Sequence, residues 1–361
     1  MTQKKNIEPL VSILWLNYNS ASFIELVLKS LQGVKNLDYP NYELIIVDNN
    51  SKDGSSEIIK AYAEKEFVSK SKIIQLNRNM GFCGGNNIAY KARNIHAKYV
   101  VLINNDAIPF PQSLTALVET MEADPCLGAA QGVIMQHRNS LVDNWGFFMD
   151  ELLIDHSVFH NQKLPKIERC IYPTYTSGAY TIYRIDAVRS LYSEDKLFYD
   201  EMFAYLDDSI ICLKMWNKGW KVKTIPVVTA EHKKSESFKK VSLLKFYLGI
   251  RNHLILAEIT NSRYKTIAKA YTARNFMTNT IKAAKAKDKK ILKQLPSTFM
   301  KAIRDAKELS NELKRKKENI NLYQAPIIKI NPKEIPMAIT LGKWLTKKIS
   351  KKIAKETIMQ K

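Results

Sequence analysis

Short apolar runs alternate with amphipathic stretches through the first third of the chain. Residues 11–16, 43–47, 72–76 and 99–103 are rich in Val, Ile and Leu and read as buried strands. Between them lie stretches with apolar residues at helical spacing. Phe23, Leu26, Val27 and Leu31 mark a helix over 23–31. Ile58, Ile59 and Ala63 mark another over 56–67, and a third is predicted over 86–95, opened by Asn86. Strands separated by helices of this length imply βαβ units and a mostly parallel sheet. Residues 107–230 are mixed: a helix over 111–121, extended pieces at 142–148 and 174–183, a helix over 208–217 and a last strand at 222–228. Beyond residue 240 the pattern is helical, punctuated by Pro296, Pro326, Pro332 and Pro336. No internal repeat and no Gly/Ser linker interrupts it.

The predicted strands end in polar clusters: Asn17-Tyr18-Asn19, Asp48-Asn49-Asn50 and Asn104-Asn105-Asp106. In open parallel sheets ligands bind outside the carboxyl ends of the strands. One strand-end Asp or Asn is usually a cap or turn residue, but three on one edge point to a binding site. A carboxylate or amide at such an end, as at Asp48, can meet a nucleobase edge or a ribose hydroxyl. A carboxylate such as Asp106 can hold a hard divalent cation, provided a diphosphate supplies the other oxygens. The stretch 77–87 (NRNMGFCGGNN) has three glycines that let backbone approach a ligand, and Arg78 can pair with a phosphate. Neither a Walker loop nor a GxGxxG loop is present. Adjacent acids Asp207-Asp208, at the start of a helix, suit general-base work or simple N-capping. His232 follows the last strand, where a cation ligand would reach the same edge, although a lone His is more often structural.

Composition sharpens the picture in its asymmetry. The 361 residues suggest two domains, or one large domain with an extension. Residues 1–232 hold 24 Lys and Arg against 26 Asp and Glu; residues 233–361 hold 32 against 9. The whole excess of positive charge therefore sits in the last third. It fits an anionic partner (membrane lipid, nucleic acid or a phosphorylated acceptor) or a solvated Lys-rich surface. Cys83, Cys126, Cys170 and Cys212 are too scattered for a disulfide framework or a zinc ribbon, which suits a reducing compartment. The N-terminal residues lack a secretory h-region, and no run reaches the roughly 18 apolar residues of a spanning helix. A cytoplasmic protein is expected, with peripheral attachment to the cytoplasmic membrane face left open.

In this order and spacing the motifs resemble glycosyltransferase family 2, and within it the rhamnosyltransferase-like branch that builds surface polysaccharides and glycoproteins. The resemblance covers residues 9–256. It rests on VSILWLNYN, LIIVDNNSKDGS, NRNMGFCGGNN, VLINNDAIP, SGAYTIYR and LFYDEMFAYLDDSIICLKMWNKGWKV, with Tyr247, Arg251 and Asn252 following in FYLGIRNHLIL. It implies a GT-A fold, a Rossmann-like, mostly parallel sheet flanked by helices, with residues 257–361 as a basic helical extension. It also implies an inverting, metal-dependent transfer of a sugar from a nucleotide-diphosphate donor to a glycan, lipid-linked or glycoprotein acceptor. Asp208 then takes the place of the general base, with Asp207 beside it. Asp106 and His232 match the ligands of a divalent cation, Mn²⁺ or Mg²⁺. Asn17, Asp48, Asn49, Arg78, Gly84, Asn86, Asn104 and Asn105 fall on the nucleotide-sugar side, and Trp145, Ser177 and Gly178 on the acceptor side. The chain departs from the family at Asn104, where a first Asp is common, and at Ile210, where a further acid is common.

Three other readings compete. A sugar nucleotidyltransferase would carry a Gly-rich basic loop after the first strand, where this chain has LNYNSASF. A nucleic-acid-binding protein would explain the basic third, but no recognisable motif accompanies the charge, and no specific nucleic acid partner is expected. A fold retained without its activity would suit Asn104, Asn105 and Ile210, but not Asp106, Asp208 and His232. Within the basic third, residues 337–353 read as an amphipathic helix, with Met337, Leu341, Trp344, Leu345, Ile349 and Ile353 opposite lysines. That pattern serves an anionic membrane interface or packing on the catalytic domain.

Overall fold

The computed structural model describes residues 8–166, 168–233, 242–335, 349, 350 and 352. Its first half follows the predicted alternation: β1 (Val11–Asn17), α1 (Ile24–Lys35), β2 (Tyr42–Asp48), α2 (Ser55–Glu66), β3 (Ser71–Gln75), α3 (Gly81–Lys91) and β4 (Tyr99–Asn104). The mixed region supplies β5 (Ala107–Pro109), α4 (Ser113–Ala123), β6 (Leu127–Gln136), β7 (Val142–Asn144), β8 (Phe147–Asp150), β9 (Asp155–Ser157), β10 (Tyr180–Arg184), α5 (Ile185–Arg189), α6 (Asp207–Asn217) and β11 (Lys221–His232). The last third is helical: α7 (Leu243–Ile259), α8 (Lys265–Lys285) and α9 (Lys289–Arg315), then β12 (Ile327–Ile328).

The main sheet runs β3-β2-β1-β4-β10-β6-β11-β5, with β7 on β6. β1 to β4 pair in parallel, and β10 runs antiparallel between β4 and β6. Val11, Ile13 and Trp15 point to the face covered by α1, α2 and α4, while Leu14 points to the opposite core. Burial on both faces explains why these strands read as unbroken apolar runs. The second face is covered by α3 and α6, and also by the last third: Ala306, Leu313, Ile320, Leu322 and Ala325 share a core with Leu14, Ile45 and Leu102.

The last third is thus packed into the body of the protein. Residue 256 lies within α7, and β12 pairs with β8 in a second, three-stranded sheet. Pro296 does not punctuate the chain as expected but lies inside α9. A proline there removes one hydrogen bond, and the burial of Leu295, Ala302 and Ala306 outweighs the loss. The helix expected over 337–353 lies outside the described residues except at 349, 350 and 352. There Ile349 is buried in the cluster of Trp145 and Phe159. Among the described residues no helix is long and apolar enough to cross a membrane, and all four cysteines are free.

Candidate active site

Strand register assembles the polar clusters. Asn17 sits opposite Asp48, and Leu16 opposite Asn104, so the ends of β1, β2 and β4 coincide on one edge. Asn17 is the hub: its amide donates to Asp48 Oδ1 at 2.8 Å and Ser51 Oγ at 3.1 Å, and its Oδ1 accepts from Asn105 at 3.4 Å. Asp48 also accepts from the Ser51 backbone at 2.9 Å and from Gln75 at 2.6 Å. Asn49 clamps the next loop, donating to Gly81 O at 2.9 Å and accepting from Met80 N at 2.8 Å. Asn17, Asp48 and Asn49 are buried, so they hold the edge from beneath.

The glycine-rich stretch behaves differently from its sequence reading. Helix α3 starts at Gly81, not Asn86. Gly81 has φ +73°, and a Cβ there would sit 2.4 Å from Phe203 O. A Cβ on Gly85 would sit 2.6 Å from Leu16. These glycines let α3 pack against β1 and the 200–206 segment, so the close approach is to protein. Gly84 likewise faces Met80, and a Cβ would meet it at 2.8 Å. Asn86 is buried within the helix, its amide donating to Phe82 O at 2.9 Å. Its neighbour Asn87 holds the segment ahead of the acid pair, donating to Phe198 O and accepting from Leu197 and Phe198 N. Arg78 is exposed, with Nε 3.0 Å from Met80 Sδ.

Pairing of β5 with β11 brings His232 opposite Ala107, and so beside Asp106. His232 Nε2 lies 3.2 Å from Asp106 Oδ1, and its Nδ1 lies 2.9 Å from Asp143 Oδ2. Burial opposes a charge on this ring, but the carboxylates of Asp106 and Asp143 outweigh it and push His232 up to about 9. One carboxylate and one imidazole, the imidazole steadied from behind by a second carboxylate, form a donor set that fits a divalent cation. Among the described residues no third His, Cys, Asp or Glu joins them. The remaining positions would fall to a diphosphate and water, the usual habit of Mg²⁺ and Mn²⁺ sites.

The acid pair is built on a strained turn. Phe203, Tyr205 and Leu206 all have positive φ, and Leu206 precedes Asp207 as the N-cap of α6. Such residues persist only where surrounding contacts over-determine them. Here Asn252, fully buried, shares its amide among Met202 O, Ala204 O and Tyr205 O at 2.7–3.1 Å. Arg251 donates to Glu201 O and Met202 O at 2.7 and 2.8 Å. Cys83 N caps Phe203 O at 3.0 Å. Asp208 accepts from Ser209 N at 2.8 Å and from Gly178 N at 3.4 Å. Burial pushes Asp207 and Asp208 well above the usual carboxylate range, and for Asp207 the Asp208 charge adds to it.

A continuous relay of polar contacts joins the two ends. Asp106 meets His232, and His232 meets Asp143. Asn144 donates to Asp143 at 3.1 Å, and Gln131 donates to Asn144 at 2.7 Å. Gln131 in turn accepts from Ser177 N at 2.6 Å, one residue before the Gly178 N–H that faces Asp208. Asp143, Asn144 and Gln131 are buried and carried no motif. Only the pairing of β7 on β6 and β6 beside β10 brings them together. Trp145, expected on the acceptor side, is fully buried. It stacks on Phe159 at 6.2 Å and donates to Ile225 O at 2.8 Å, so it supports the wall from behind. Gly178 N faces Asp208, whereas Ser177 N faces Gln131.

A family model described as Glycosyl transferase family 2 matches residues 12–192. A Bacillus subtilis glycosyltransferase named for teichuronic acid biosynthesis is 29% identical over 101 residues, 28% of this chain and 37% of the relative. The chain spans less than half the length of the curated relatives it matches. Among solved structures, the mannosyltransferase PcManGT of Pyrobaculum calidifontis, in complex with GDP-Man and Mn²⁺, superposes with TM-score 0.51 at 17% identity, over 99% of this chain and 89% of its own. GalNAc-T7 with UDP, GalNAc and Mn²⁺ superposes with TM-score 0.58 at 12% identity, over 73% and 51% of the two chains. At such identities the likeness is one of fold, here the GT-A fold.

Proposed function

The chain belongs to glycosyl transferase family 2, and from that premise we propose that it transfers a sugar, with inversion, from a nucleotide-diphosphate donor to a hydroxyl of a glycan, lipid-linked or glycoprotein acceptor. Residues 9–256 carry this chemistry, and residues 257–361 extend it. The observation that supports the reading is the pairing, across one sheet edge, of a cation-seeking end with a proton-seeking end. Asp106 and His232 make up the first, and the buried Asp207 with the half-buried Asp208 makes up the second.

In this reading Asn17, Asp48, Asn49, Asn104 and Asn105 shape the nucleotide side, with Arg78 free to meet a phosphate. Asp106 and His232 hold a divalent cation, Mn²⁺ or Mg²⁺, which when bound offsets negative charge on the departing diphosphate. Asp208 accepts the proton of the acceptor hydroxyl. The freed oxygen forms a bond to the anomeric carbon as the bond to the diphosphate oxygen breaks on the opposite face, and the nucleoside diphosphate leaves with that electron pair. A raised carboxyl pKa suits Asp208 to the task, since a base works best when its pKa lies near the working pH. The N–H of Gly178 steadies Asp208, and in this reading Ser177 and Gly178 line the acceptor side. Alignment of base, hydroxyl and anomeric carbon supplies the rest of the rate.

The test is product stereochemistry. Nucleotide-diphosphate sugars are screened with simple glycoside acceptors, and the product anomer is read by NMR. One nucleoside diphosphate released per glycosidic bond, with inverted configuration, is the expected result. Retention of configuration would overturn the assignment of Asp208.

A further inference from the structure

The helical third presents a surface that the sugar chemistry does not use. Helices α8 and α9 each bury one side against α7. Ala283, Leu295 and Ala302 are inside, and Phe246, Phe276 and Phe299 interlock with ring centroids 4.9–6.4 Å apart. The residues next to those phenylalanines turn outward. Met277 is 62% exposed and Met300 64%. Ile281, Ile303 and Leu244 are exposed with them. On a helix Met277 and Ile281 are one turn apart and lie opposite Ala283, as Met300 lies opposite Leu295. Single exposed apolar residues are ordinary, but these recur on the outward faces of neighbouring helices.

The same hairpin carries Lys282, Lys285, Lys287, Lys289, Lys290 and Lys293, all exposed. Among the described residues none of the six has an ion-pair partner. The one acid among them, Asp288, is engaged as the cap of α9, accepting from Ile291 N at 3.0 Å. Aliphatic side chains among unpaired lysines match the two terms of binding to an anionic bilayer, insertion and charge. A surface for nucleic acid would show aromatic side chains for stacking, and those here are turned inward.

We propose that the α8–α9 hairpin, with the start of α7, docks the protein on an anionic lipid surface. The surface lies close to the chemistry. Leu244 is seven residues before Arg251, or about 10 Å along the helix, and Arg251 and Asn252 hold the turn that carries Asp207 and Asp208. Docking here brings the acid pair close to the lipid surface, where an acceptor anchored in the membrane would present its hydroxyl.

The experiment is co-sedimentation of the full chain with phosphatidylcholine vesicles, with and without phosphatidylglycerol, at low and high salt. Binding is expected only with phosphatidylglycerol, and it weakens with salt. The variant K285Q/K289Q/K290Q/K293Q lowers partitioning about several hundredfold, since each lysine near the surface contributes about fivefold. The variant M277S/I281S/M300S/I303S lowers it about tenfold or more. Both retain the wild-type melting curve and donor binding, which separates this proposal from the catalytic one. Equal binding to neutral vesicles, or none to anionic ones, overturns it. So does tighter binding to random-sequence RNA that the apolar variant leaves intact.

Discussion

The two acidic ends of the site use the same residue type in opposite electrostatic settings. At the Asp106 end two carboxylates face one imidazole, whose Nε2 proton a bound cation would displace. At the Asp208 end a buried and a half-buried carboxylate sit side by side with no ion-pair partner among the described residues, and both are pushed toward the protonated form. The difference lies in the partners each strand topology delivers. The β5–β11 pairing supplies a histidine. The first turn of α6 and the loop before β10 give Asp208 backbone N–H groups, from Ser209 and Gly178. One end is therefore arranged to attract a cation and the other to take up a proton, a division that a leaving diphosphate and an incoming hydroxyl require of any catalyst.

The sharpest way to break this comparison is Asp208→Asn. It should lower turnover by about 10²–10⁴-fold while sparing donor affinity, measured by initial rates and by titration with the donor. Wild-type turnover would remove Asp208 from the role of base. Next is Asp143→Asn, behind the cation end. Cation affinity should fall about 10–100-fold, with the rate recovering at saturating Mn²⁺. A loss that no amount of cation restores would mean that Asp143 only supports the fold. Asn252→Ala removes the amide shared by three carbonyls of the left-handed turn, and should lower stability by about 1–3 kcal/mol. A melting curve reads this loss, and kcat should fall more than donor affinity does. An unchanged melting curve would show that the turn holds without Asn252.

The smallest effect is in pH. Unfolded carboxyls titrate near about 4, and Asp207 and Asp208 titrate higher in the folded protein. Between those values the folded chain holds more protons than the unfolded one, so this pair makes stability fall as pH rises through that window and then level off. The rate runs the other way, because the base must lose its proton: its acid limb should lie above that of an ordinary carboxyl. Melting curves and kcat at saturating cation check the two slopes. A rate that stays flat down to pH of about 4 would contradict a raised Asp208.

Much of this is legible in the sequence. Strands buried on both faces announce themselves as apolar runs, and their polar ends at Asn17, Asp48 and Asn104 do converge. What stayed hidden depends on distant pairing. Asp143 and Gln131 sit in segments with no motif, and Asp143 meets His232 across 89 positions of sequence. Trp145 falls on the acceptor side by resemblance, but directly after β7 it is buried against Phe159. The glycines of 81–85 suggest a ligand loop because sequence shows the freedom of a glycine but not what comes close to it, here Phe203 and Leu16. Pro296 looks like a boundary because local preference is readable and the burial that overrides it is not.

The central claim, that cation and donor belong to one end and the proton to the other, is tested most directly by thermal shift. Wild type, Asp106→Ala and Asp208→Asn are melted with UDP, dTDP and GDP, each with and without Mn²⁺. A nucleotide in large excess over its Kd stabilises by about 2–4 kcal/mol, enough to move the curve. The account predicts a cation-dependent shift with at least one nucleotide, lost in Asp106→Ala and kept in Asp208→Asn. A shift that ignores the cation and survives Asp106→Ala would contradict it.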